Sequence, residues 1–206
     1  ASDPSIDVKG FLAKIPSSQL KFALSKSGSV EALVARDPAV AQSIISSLPY
    51  TEESKGIFGR YAISLAKNDP EKAVAYLQTL SAGQATSEIV SKVFESIAAD
   101  NVEIAKSKVE DLPIESQAIA LRGLARALAR TDVDGALEIA AQSDPNAKRD
   151  VYREVARTLT YENTTRAIAM LDDPGFAAVL GDEFRSQMID HAVRTWAAKD
   201  IDAARV

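Results

Sequence analysis

The feature that most constrains this chain is a helix break that recurs at a nearly constant interval. Six segments share it: Leu33–Ala41, Leu65–Ala73, Ile97–Ala105, Leu128–Ala136, Leu159–Ala167 and Trp196–Ala204. They begin 32, 32, 31, 31 and 37 residues apart. A unit of that length cannot bury a hydrophobic face alone, so repeats of this kind stack on one another.

Each column of the repeat has a physical reason. Asp37, Asp69, Asn101, Asp132, Asn163 and Asp200 are of the types that suit an N-cap, whose side chain accepts from the unpaired N–H groups of a following helix. Pro38 and Pro70 fall at the first helical position, where a missing N–H costs nothing. The apolar residues Leu33, Leu65, Ile97, Leu128, Leu159 and Trp196 close the preceding helix. Three residues before them, Val30, Ala62, Phe94, Ala125, Ala156 and Val193 lie on the same face. The column Ala41, Ala73, Ala105, Ala136, Ala167 and Ala204 is small enough to let two helices approach closely. Four residues on, Ile45, Leu77, Val109, Ala140 and Leu171 continue that face.

The spacing therefore predicts a helix A, a break, a helix B and a second break in every unit. A helices are expected over 19–35, 51–67, 84–99, 115–130, 147–160 and 182–198, and B helices over 38–48, 70–80, 102–112, 133–142 and 164–172. Prolines in Leu48-Pro49, Leu112-Pro113, Asp144-Pro145 and Asp173-Pro174 are expected to stop helix B. Gly28 should kink the first A helix or delay its start. The longer last offset reflects an insertion around 172–181, where Phe176–Leu180 predicts an extra helical turn. Asp3-Pro4 and Ile15-Pro16 repeat the spacing of Asp37-Pro38 and Leu48-Pro49, so the chain is expected to open on a lone helix B and to close at Asp200–Val206 inside another. The expected fold is all-α: a right-handed α–α superhelix, or solenoid, of stacked antiparallel helix pairs, about 31–34 residues per repeat. It would form one domain over residues 1–206, with about six repeats cut from a longer array.

The run Asn68–Leu77 resembles the helix-B start of a tetratricopeptide-like repeat. The wider pattern of Leu-Ala or Trp-Ala, a short gap, Asp-Pro, two residues, Ala and then Leu-Pro resembles degenerate α/α helical repeats of bacterial proteins. The interval is shorter than the tetratricopeptide one, and the Trp, Leu-Gly and Tyr pattern of that family's first helix is missing. The resemblance implies protein–protein scaffolding, and a fold does not fix a function.

The chemistry-bearing residues point away from catalysis. The chain has no cysteine and one histidine, His191. Thiol nucleophiles and zinc–thiolate sites are thereby excluded, and a lone histidine is a poor start for a metal site. Asp132-Val-Asp134-Gly135 lacks the further ligands and the closing Glu of a calcium loop, and capping explains each of its two Asp residues. Asn163-Thr-Thr165 has the form of a glycosylation acceptor, but Asn163 also sits in the capping column. Gly56, Gly59 and Gly123 lie inside helical patterns rather than in a phosphate loop. With 24 Lys and Arg against 29 Asp and Glu, the net charge is −5, which argues against nucleic-acid binding, since that runs on neutralising phosphates. No apolar run approaches the roughly 20 residues that span a bilayer, so no membrane insertion is expected. No catalytic, cofactor or metal residue is assigned, and the compartment stays open.

One surface pattern remains. Arg126, Arg157 and Arg194 occupy the same repeat position, two before the closing residue, and Arg122 and Arg153 lie four residues before two of them. Stacked A helices would align all five as an exposed ladder, broken in earlier repeats by Ile63 and Glu95. A solvated charged face explains such a ladder. So does docking of a protein with an acidic segment, since arginine forks onto carboxylates. The leading function is thus a non-catalytic helical-repeat module that binds another protein. The alternative is a structural spacer or array within a larger bacterial multidomain or envelope protein.

Overall fold

The computed structural model describes residues 10, 14–80 and 86–199, apart from the side chains at positions 146 and 199. Among these residues the chain is all-α, with thirteen helices and no strand. It forms two compact units, Ala1–Ile89 and Val90–Val206. The expected lone N-terminal helix B falls almost wholly outside the described residues. The last capping segment from Asp200 lies outside them entirely.

The helices follow from a one-residue joint. Asp37, Asp69, Asn101, Asp132 and Asn163 each have an extended backbone, with φ between −155° and −143°. The N–H of each donates to the carbonyl of the closing apolar residue four positions back: Leu33, Leu65, Ile97, Leu128 or Leu159. Its own carbonyl accepts from the alanine four positions on: Ala41, Ala73, Ala105, Ala136 or Ala167. Its side chain meanwhile accepts from N–H groups in the first turn of the next helix. One residue thus satisfies the end of helix A and the start of helix B together.

In unit 1, α1 (Ser17–Ser25) and α2 (Ser29–Arg36) stand where one A helix was expected. Gly28 separates them in the left-handed region, at φ 79°, a conformation that costs glycine little. Arg60 donates to the carbonyls of Leu24 and Ser25 and so caps the interrupted end of α1. There follow α3 (Pro38–Ser47), α4 (Lys55–Asn68) and α5 (Pro70–Thr79). Helix α4 packs on α1, α2, α3 and α5. Helix α6 (Ser87–Asp100) contains the boundary between the units.

Unit 2 continues with α7 (Val102–Val109), α8 (Ile114–Thr131), α9 (Val133–Gln142), α10 (Pro145–Glu162), α11 (Thr164–Asp172), α12 (Pro174–Leu180) and α13 (Asp182–Lys199). The B helix α9 packs on A helices α8 and α10, which also pack on each other, and α10, α11 and α13 repeat that arrangement. The inserted turn is the helix α12. Its Leu180 is fully buried, and its Phe176 meets Tyr152 edge to face at 5.3 Å. Two of the four second-break prolines act differently from the expectation. Pro145 and Pro174 begin helices, because Asp144 and Asp173 cap them by accepting from Ala147 and from Gly175 and Phe176. The Asp-Pro pair serves at both kinds of break, since a proline at the first helical position loses no hydrogen bond.

The core is made by the repeat columns. All five described alanines of the small column are fully buried, as are Val30, Ala62, Phe94, Ala125 and Ala156. Val193 and Trp196, their counterparts on α13, are 47% and 38% exposed. Alanine and glycine set how closely helices approach. A Cβ on Gly123 would lie 2.0 Å from the Ser91 carbonyl oxygen and 3.1 Å from the Glu95 nitrogen. Helices α8 and α6 therefore meet backbone to backbone at this point.

Helix propensity alone would make both Gly56→Ala and Gly123→Ala stabilising, by up to about 1 kcal/mol. Gly56 has nothing within 4 Å of a new Cβ, and urea melts should show that variant no less stable than the parent. Gly123→Ala should instead lose about 2–3 kcal/mol through overpacking. Equal stabilities for the two variants would rule out the close α6–α8 contact. The cap at Asp69 should also be visible in pH. The Lys72 ammonium, 2.7 Å away, and the Lys72 N–H hold this carboxyl below its ordinary range. Its contribution is then complete above the unfolded carboxylate range and fades as pH falls through the depressed value. Asp69→Ala should cost about 1 kcal/mol at neutral pH and progressively less in acid.

Candidate functional site: the arginine face of unit 2

Repeat spacing places α6, α8 and α10 side by side, and one charged position on each helix meets its neighbour. Arg126 on α8 reaches both ways. Its Nε donates to Glu154 of α10 at 2.7 Å and its Nη1 to Glu95 of α6 at 3.2 Å. Arg130, one turn further along α8, donates to the other oxygen of Glu95 at 2.6 Å and pairs with Glu162 at 3.4 Å. Arg157 stands 3.9 Å from Glu154. The Glu154 side chain is 11% exposed and that of Glu95 20%, so these pairs are partly desolvated. The hydrogen bond it donates to Glu154 is the main reason that Arg126 holds its proton more tightly than usual.

The five arginines singled out in the sequence do not form an exposed ladder. Arg122 and Arg153 are half-buried, as is Arg126. Arg157 and Arg194 are exposed, and Arg194 pairs within its own helix with Asp190 at 2.9 Å. Arg153 reaches forward to α12 and α13. Its Nη2 donates to the Leu180 carbonyl at 3.2 Å, and its guanidinium lies 4.9 Å from the Phe184 ring centre. Arg157 lies over the same ring at 5.4 Å. Among the described residues no carboxylate pairs with Arg122 or Arg153.

Two adjoining depressions result. One, of about 320 Å³, is lined by Arg126, Arg130, Glu154, Arg157, Tyr161 and Glu162, with Thr158. The other, of about 440 Å³, is lined by Arg153, Arg157, Asp182, Glu183, Phe184 and Gln187, with Leu180 and Gly181. Arg157 belongs to both, so the structure brings Arg126, Arg153 and Arg157 together on one surface. Arg122 and Arg194 line neither depression.

The sequence reading missed Arg130, Glu154 and Glu162, and treated Glu95 as an interruption. Glu95 is a partner instead. Glu at this position in one repeat and Arg in the next is a signal of pairing between neighbours rather than of a broken stripe. Glu154, three residues before Arg157, carried the same information.

His191 meets Tyr161 edge to face at 4.9 Å, and its Nε2 is buried without a hydrogen-bond partner. Among the described residues no cluster of His, Asp and Glu could hold a metal ion, and no helix is long and apolar enough to cross a membrane. Asp132 and Asn163 are engaged in capping, accepting from Gly135 and Arg166. Unit 1 has a cavity of about 640 Å³ between α3 and α5, floored by Tyr61, Leu65 and Tyr76. The two tyrosine rings pack edge to face at 4.8 Å. Burial pushes the hydroxyls of both upward in pKa, and that of Tyr76 has no partner. No protein-family model, curated protein or solved structure matches the chain.

The partly buried pair should be energetically distinct from the open one. A double-mutant cycle on Arg126 and Glu154 should give a coupling of about 1–2 kcal/mol, because the hydrogen bond is charge-assisted and sheltered. The same cycle on Arg157 and Glu154 should give about 0.5 kcal/mol or less. Equal couplings would mean that Arg126 does not tie the helices together.

Proposed function

We propose that the chain is a non-catalytic helical-repeat module, with the hairpins of each unit stacked as turns of a right-handed α–α superhelix. We assign it to protein–protein interaction through the arginine face of unit 2. The observation that carries this reading is the pair Arg153 and Arg157, held over Phe184 while neighbouring Arg126 is consumed by two glutamates. A guanidinium braced on a ring keeps a fixed plane and loses little freedom when it forks onto a carboxylate. Arginine and tyrosine also dominate the energetics of protein interfaces, and the exposed Tyr161 adjoins the pair. The resemblance to bacterial α/α repeats is in keeping with this scaffolding role. The partner so recognised offers acidic side chains to the arginines.

A structural array or spacer is the second reading, favoured by the Arg126 network. Those ion pairs link consecutive A helices and give a charged face a purely internal purpose. Selection of displayed random peptides on the folded protein separates the two. A docking face should enrich peptides whose binding falls at least about tenfold in Arg153→Glu/Arg157→Glu, and also falls with added salt, as screening requires. Failure to enrich any peptide, or enrichment indifferent to the double reversal, would leave the spacer reading in its place.

A further inference from the structure

We infer that the cavity between α10 and the start of α13 recognises a partner segment carrying both signs of charge, an acidic and a basic side chain close together, rather than a purely acidic one. This deepens the docking reading of unit 2 and rests on it. The cavity of about 440 Å³ has two walls of opposite charge. Arg153 and Arg157 come from α10, and Asp182 and Glu183 come from the first turn of α13, where a helix dipole favours acidic residues. Among the described residues, no ion pair joins either arginine to either of these acids. The guanidinium groups are held instead by the Leu180 carbonyl, the Phe184 ring and, at 3.9 Å, Glu154. Asp182 and Glu183 are exposed.

Unlike charges that line one cavity without closing on each other are complementary to a ligand that bridges them. A carboxylate would fork onto the arginine edges left free by stacking, and an ammonium would meet Asp182 and Glu183. A helix with Glu and Lys four residues apart presents that pair on one face, with Cβ atoms about 5–6 Å apart. An all-acidic segment would gain at Arg153 and Arg157 but meet repulsion from Asp182 and Glu183, and next door from Glu154 and Glu162. An all-basic segment would meet the reverse. The charge balance of the cavity therefore selects against both, as like-charge juxtaposition does at protein interfaces generally.

Three synthetic helical peptides of equal length test this: one with Glu and Lys four residues apart, one with Glu at all those positions, and one with Lys. Each is titrated into isotopically labelled protein, with binding read from the Nε–H signals of Arg153 and Arg157 and the side-chain amide of Gln187. The mixed peptide should bind about fivefold more tightly than the all-Glu peptide, the upper end for a single exposed charge contact and reached here because a repulsion is replaced by an attraction. Asp182→Asn/Glu183→Gln should abolish that preference. Tighter or equal binding of the all-Glu peptide to the parent protein would overturn the mixed-charge inference and leave the docking reading standing. An unchanged preference in the double variant would do the same. If none of the three peptides moves those signals, the inference and the docking face fall together. The peptide comparison on the parent protein decides the matter even if the double variant does not fold.

Discussion

A single extended residue between two helices is the constraint on which the rest of this structure depends. At Asp37, Asp69, Asn101, Asp132 and Asn163 the backbone leaves helix A, and one residue later it has entered helix B. A joint this short leaves no slack. The closing carbonyl, the joint's N–H, its side chain and the alanine N–H are all fixed relative to one another. The buried alanine then lies at a set distance from each of these five joints, one turn into helix B. Only a small residue suits that place, which explains why capping residue and alanine recur together.

Stacking adds a second layer of constraint. Within unit 2 the A helices of successive hairpins pack directly on one another, beside the B helix that lies against both, and their spacing is set by what stands between the backbones. At Gly123 nothing does, and α8 lies against the Ser91 carbonyl of α6. Close approach of helices brings side chains at matching repeat positions into reach, and here those are arginine and glutamate. The Glu95–Arg126–Glu154 chain is thus a consequence of packing distance. Arginines elsewhere work in a related way, capping the carbonyl ends of neighbouring helices: Arg60 on α1, Arg185 on α11 and Arg153 on α12.

These two uses of arginine bear on function because they sort the charged face. Arg126 spends its hydrogen-bonding capacity inside the fold. Arg153 divides its own between a helix end and an aromatic ring, and Arg157 has one distant carboxylate for three nitrogens. The same surface therefore contains a structural lattice and, beside it, guanidinium groups positioned by Phe184. Nearby carboxylates on α10 and α13 keep the surface from being uniformly basic, and this narrows the partner chemistry that suits it.

Local chemistry makes much of this legible in the amino-acid sequence. Caps, proline positions and apolar columns act within a few residues, so helix existence, joint residues and buried alanines could be read from spacing. The break at Gly28 and the extra helix near Phe176 were visible for the same reason. Two things were not. Asp144-Pro145 and Asp173-Pro174 look alike as helix stops and helix starts, because proline disfavours the helix before it and suits the helix after it. The fate of Arg126 and Arg130 was also hidden, since their hydrogen-bonded partners are carboxylates 28 to 35 residues away in sequence. Sequence by itself determined the helices and the faces they bury, except on α13, where Val193 and Trp196 are exposed. Tertiary structure decided which charges are spent within the fold and which are left at the surface, because that depends on the separation of stacked helices, a distance set by contacts such as Gly123 against Ser91.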